Sequence, residues 1–181
     1  MGAASWFRYV YLAHFSQPKS ARQLFRLVKH ERVCRIVEIG VGELMRSISL
    51  IEVARRYAGD QKVCHTGLDW FDSRDPKLER LTLKDAYRSL RATGANVRLV
   101  PGSPAQSLVS AANSHQNTDL ILISSAVSDD ELRAAWFYVP RMLHASSVVL
   151  REHLSPEPSF ERLTRSQVAD WAVQAGARRA A

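Results

Sequence analysis

Between Arg35 and Ser47 the sequence reads RIVEIGVGELMRS, and three of its features bear on chemistry. A carboxylate, Glu38, interrupts an apolar run, where burying it is costly unless it is paired or hydrogen-bonded. The run breaks at Gly40-Val41-Gly42, and glycines there permit backbone angles closed to other residues and let a ligand approach the main chain. A helical pattern starts directly afterwards, and its amino end offers N–H groups without intrahelical partners to a polar or anionic group. The same glycines also suit a plain strand-to-helix turn, and Glu38 has candidate partners in Arg35 and Arg46. The dinucleotide fingerprint G-x-G-x-x-G requires a glycine where Met45 stands, so it is not met.

Further along, Glu152 and His153 follow an apolar run and are candidates for general acid–base work. Asp129 and Asp130 lie inside Ser128-Asp-Asp-Glu131, a capping spacing, which makes them a solvated first helical turn. The sequence has no Gly-x-Ser-x-Gly elbow, no phosphate loop and no paired-carboxylate spacing, which argues against an α/β-hydrolase. Cys34 and Cys64 lack the CxxC or paired histidines of a zinc site and read as buried free thiols, with no metal expected.

The elements that must position these residues alternate. Ala21, Leu24, Phe25, Leu27 and Val28 recur at helical spacing, predicting a helix over 20–30. A β-branched strand over 33–39 follows, then a helix over 44–58 stopped by Gly59 and a strand over 62–69. A loop over 70–76 leads to a helix over 78–92, a strand over 96–100 and a short helix over 105–112. A nearly all-apolar strand over 118–124 precedes a helix from Ser128 to about 143 and a strand over 146–150. A last helix over 165–174 is expected to stop at Gly176, with a scrap of strand in the tail. Alternating strands and helices imply a doubly wound α/β fold, a mainly parallel sheet of five to six strands with helices on both faces. Ligands of such a fold bind at the carboxyl ends of the strands, near the switch point. One domain over 1–181 is expected: an aromatic N-terminal segment over 1–19, a core over 20–150, and a C-terminal helix and tail over 151–181.

With 46% hydrophobic and 24% charged residues, the chain has an ordinary globular composition. No apolar run approaches the roughly 20 residues of a membrane span, and the N-terminus lacks a secretory pattern, so a cytoplasmic protein is expected. The net charge of +7 is scattered, without an aromatic-interleaved basic stripe, so a solvated basic surface takes precedence over a nucleic-acid partner.

Glu38-Ile-Gly40-Val-Gly42 resembles the first motif of the class I S-adenosylmethionine-dependent methyltransferases. The resemblance implies a glycine turn under the methionine part of S-adenosylmethionine (or S-adenosylhomocysteine). It also implies an acid closing the second strand on the ribose hydroxyls, the place of Asp69. Ser103 stands where many members set an acid against the adenine amine; Trp70 and Phe71 follow Asp69 directly, and an aromatic there could lie against the adenine ring. Packing in the core would equally account for Trp70, and a turn cap for Asp69. The third glycine of E-x-G-x-G-x-G is replaced by Leu44, strand four ends in Ser124-Ser125, and the chain past strand five leaves little room for a closing β-hairpin. The resemblance thus implies methyl transfer to an unspecified acceptor; the alternative is a methyltransferase fold kept as a binding or assembly module. In that case Trp6-Phe7-Arg8-Tyr9-Val10-Tyr11 would supply a contact between copies.

Overall fold

A computed structural model of the protein describes the backbone of residues 3–42 and 44–180, and side chains over 7–42 and 44–177. Six strands form one sheet: β1 (Arg35–Ile39), β2 (Cys64–Asp69), β3 (Asn96–Pro101), β4 (Thr118–Ile123), β5 (Leu143–His153) and β6 (Ser159–Leu163). Their order is β3-β2-β1-β4-β5-β6; β1 to β5 run parallel, and β6 returns antiparallel to β5. The chain moves outward from β1 to β3, then restarts beside β1 with β4. This reversal puts the topological switch point, and the crevice it opens, at the carboxyl ends of β1 and β4.

Strand alternation sends successive residues to opposite faces. Ile36, Leu120, Leu122 and Leu150 pack under α2 (Lys19–His30) and α3 (Leu44–Tyr57), through Leu24, Phe25, Val28, Leu50 and Ile51. Val37, Ile39, Ile121 and Val149 pack against α5 (Pro104–Ala112), α6 (Asp129–Ala135) and α7 (Arg165–Ala180), through Leu108, Leu132 and Val168. Both faces are therefore covered, which explains the apolar run of β1, broken by Glu38, and that of Leu120 to Ile123 in β4. The helix α4 (Leu83–Ala92) joins β2 to β3.

The N-terminal segment is a helix, α1 (Ala3–His14), lying against α2 and α3. Tyr9 meets Tyr57 edge to face, ring centroids 5.0 Å apart, under the Lys29 ammonium. Phe7, Tyr11 and Phe15 are exposed. The side chain of Trp6, expected to join an oligomer contact, lies outside the described residues.

Several boundaries differ from the sequence expectation, each for a local reason. The helix expected from residue 78 begins at Leu83, because the Thr82 hydroxyl accepts the Asp85 N–H and sets the cap there. The helix opened by Ser128 ends at Ala135 rather than near 143, because Pro140 cannot continue it and a 3-10 turn, Val139–Met142, follows. The final helix runs through Gly176: a Cβ there would come within 3.3 Å of the Phe137 ring, so that glycine serves packing and not termination. The tail to Ala180 is helical, not strand. Past β5, where little room was expected for a closing hairpin, a single strand, β6, returns antiparallel to β5.

The Ser128 cap is a full capping box. Ser128 Oγ accepts the Glu131 N–H, while the Glu131 carboxylate accepts the Ser128 N–H and O–H. Ser128→Ala is expected to lower the unfolding free energy by about 1 kcal/mol, read as a shift of the urea midpoint at unchanged slope.

Candidate functional site

At the carboxyl end of β1 the turn Gly40-Val41-Gly42 is fastened on both sides. The Gly40 N–H donates to Leu68 O of β2 at 2.7 Å, and the Ser124 N–H donates to Ile39 O at 2.9 Å. Gly40 has φ +77 and Gly42 φ +56, in the left-handed region. A Cβ on Gly40 would fall 2.6 Å from Val127 Cγ2 and 2.9 Å from Ser124 Cβ, so only glycine lets the end of β4 close against the turn. Beside it lies a cavity of about 320 Å³, with Gly40, Gly42, Asp69, Trp70, Gly102 and Glu152 in its wall. Leu78 and Leu154 stand at its exposed edge.

Asp69, last in β2, accepts four hydrogen bonds. Oδ1 accepts from the Phe71 N–H at 3.0 Å and from Arg74 Nε at 2.7 Å; Oδ2 accepts from the Val41 N–H and from Arg74 Nη2, both at 2.7 Å. Burial works to raise its pKa, but these donors outweigh it and hold the carboxyl below its ordinary value. Asp69 thus ties the glycine turn to the segment after β2, and its oxygens are already taken by Arg74. Any diol received there must displace that guanidinium, which also donates to Glu79 O at 3.1 Å.

Glu152, at the end of β5, gathers a second network. Its Oε1 accepts from Arg46 Nη1 of α3; its Oε2 accepts from Ser124 Oγ, the Ser125 N–H and Ser125 Oγ at 3.4, 3.2 and 3.3 Å. The two serines at the end of β4, where many members of the family it resembles carry an acid, hold this carboxylate. Across the cavity Trp70 donates its indole N–H to Glu131 Oε1 at 3.1 Å, which fixes the ring at the wall. Burial pushes the Glu131 pKa up, but the Ser128 and Trp70 donors outweigh it and the group stays below its usual range.

Other candidates stand elsewhere. Glu38 is not in the cavity wall: it is fully buried on the α3 face of the sheet, with Oε2 2.7 Å from His65 Nε2 of β2. Neither Arg35 nor Arg46 is its partner; Arg35 donates its main-chain N–H to Asp119, and Arg46 meets Glu152. Ser103 caps α5, accepting the Gln106 N–H, while its neighbours Gly102 and Pro104 line the cavity. His153 pairs at 3.0 Å with Glu161 of β6, away from the wall, which separates it from Glu152. Asp129 is solvated and pairs with Arg151. The structure therefore brings together Gly40, Gly42, Asp69, Trp70 and Glu152, and leaves out Glu38, Ser103 and His153. Arg46, Arg74 and Glu131 join them unforeseen. Only Arg74 carried a local signal, a base closely following an acid that ends a strand.

Among the described residues no group of three or more His, Cys, Asp or Glu is placed to hold a metal, and no helix is long and apolar enough to cross a membrane. Cys34 and Cys64 are free thiols.

No protein-family model matches the sequence, and no curated protein matches it. Solved structures do match in fold. The O-methyltransferase from Bacillus cereus in complex with S-adenosylhomocysteine is 15% identical, with a TM-score of 0.55 over 100% of this chain and 81% of that one. The O-methyltransferase TomG from Streptomyces achromogenes, involved in tomaymycin synthesis and bound to S-adenosylmethionine, is 15% identical, with a TM-score of 0.53 over 100% and 79%. The methyltransferase PaMTH1 from Podospora anserina, bound to S-adenosylhomocysteine, is 15% identical, with a TM-score of 0.51 over 99% and 77%. The chain has the α/β fold of these methyltransferases.

Proposed function

We propose that the protein is an S-adenosylmethionine-dependent methyltransferase that holds its cofactor in the cavity at the carboxyl ends of β1 and β2. The observation that carries this reading is the placement of that cavity: about 320 Å³, at the switch point, with Gly40 and Gly42 in one wall and Asp69 and Trp70 in another. The residues present fit the group. The glycine turn leaves main chain accessible, Asp69 is an ionised acceptor for a ribose diol once Arg74 yields, and Trp70 offers an aromatic surface for a base.

When bound, S-adenosylmethionine supplies a methyl group already activated by its sulfonium. The chain's own task is then orientation and exclusion of water. Glu152 is the carboxylate nearest the end of β5 that faces the hollow, and a hydroxyl or amine of the acceptor within its reach would give it a proton. A second reading, a binding or assembly module on the same fold, draws support from Ser124-Ser125 at the end of β4 and from the exposed Phe7, Tyr11 and Phe15 of α1.

Calorimetry with S-adenosylhomocysteine tests the reading. The native chain is expected to bind with a Kd on the order of micromolar. Asp69→Ala, confirmed folded by its thermal transition, is expected to bind at least about tenfold more weakly, since it loses both the diol acceptor and the tether on Val41 and Phe71. No binding to the native chain at millimolar ligand would sink the enzyme reading and leave the module.

A further inference from the structure

Arg46 is more than a strut. It stands in the first turn of α3 with its side chain only 10% exposed. Nη1 donates to Glu152, and the guanidinium lies 5.9 Å from the centre of the Phe160 ring. Nε and Nη2 are covered, yet meet no acceptor among the described residues. A guanidinium is always ionised and carries five donors, and buried donors of this kind ordinarily find partners. Nη2 lies beside Gly42: a Cβ on that glycine would fall 2.9 Å from it. Arg46, Gly42, Ser124 and Glu152 all belong to the cavity wall.

Resting on the cofactor reading above, we propose that Arg46 is the carboxylate anchor of this cavity. The α-carboxylate of the cofactor's amino-acid tail meets the guanidinium beside Gly42 and takes up donors that the protein leaves unfilled. A planar fork matches a carboxylate in shape and charge, which an ammonium would not do. Because the two nitrogens are covered, the exchange opens the Arg46–Glu152 contact. Glu152 is not left bare, since Ser124 and Ser125 still donate to its Oε2. The end of the cavity near the glycine turn thereby selects an amino-acid-bearing adenosyl compound over one that lacks the carboxylate.

The test compares S-adenosylmethionine with its decarboxylated form, which keeps the adenosine, the sulfonium and the amine. By calorimetry on the full chain, the native protein is expected to prefer the carboxylate-bearing compound by roughly 10–100-fold. Arg46→Gln should compress that preference to about threefold or less, and Arg46→Lys should fall between, because it keeps the charge and loses the fork. If the native chain binds both compounds alike, or if a folded Arg46→Gln keeps the native preference, the assignment is overturned while the cofactor reading stands. If the native chain binds neither, both fall together.

Discussion

His65→Leu is expected to lower the unfolding free energy by about 3–5 kcal/mol, the largest single effect anticipated in this protein. Glu38 and His65 are both fully buried, and their one mutual contact is 2.7 Å long. Glu38 Oε1 and His65 Nδ1 have no partner among the described residues. Removing the imidazole strands a carboxylate beside an apolar layer, and uncompensated burial is what makes breaking such a pair costly. Replacing both partners is different: Glu38→Leu with His65→Leu is expected to regain most of the loss, because two apolar side chains pack where two polar ones had to be matched. Urea midpoints at constant slope measure both effects. The double variant should also bind S-adenosylhomocysteine within about threefold of the native chain, since Glu38 lies outside the cavity wall. A folded double variant that binds tenfold more weakly would return Glu38 to the cofactor role that its motif implies.

Gly40→Ala is expected to cost about 2–5 kcal/mol, made of left-handed strain and overpacking. At φ +77 an alanine is strained before any neighbour is considered. Its methyl would also stand 2.6 Å from Val127 Cγ2 and 2.9 Å from Ser124 Cβ. Neither atom is the end of a flexible side chain, so the turn and the end of β4 must part. Tm should fall by roughly 10 °C, and binding of S-adenosylhomocysteine should weaken with it, because the wall that moves is the wall of the cavity. A variant with native Tm would show that the turn relaxes freely and that Gly40 carries no packing constraint.

The fold was readable because its determinants are local and periodic. Ile36, Val37 and Ile39, with Leu120 to Ile123, present apolar side chains to both faces, as buried parallel strands do. Ser128 and Glu131 announced their own cap. Boundaries slipped where one residue decided the matter, as at Thr82 and Pro140. The site was half legible. Gly40, Gly42 and Asp69 sit at strand ends, where topology alone places them together. Glu38 misled because an acid next to a glycine turn looks the same in sequence whether it faces a ligand or a histidine on the next strand. That histidine reaches it only through the register of β1 and β2, which places Ile36 opposite His65. Arg46 was hidden likewise: its partner lies at the far end of the sheet's sequence, and pairing over that separation leaves no local trace.

The composition of the cavity wall sets it apart from the rest of the surface. Asp69, Glu79, Glu131 and Glu152 face it against Arg46 and Arg74, an acidic balance inside a chain whose net charge is +7. An anionic group approaching the opening meets opposing potential. A sulfonium, or an acceptor bearing an amine, gains attraction at the same threshold. The hollow and the chain as a whole thus differ in the sign of their charge, and added salt screens the exposed charges before the covered ones.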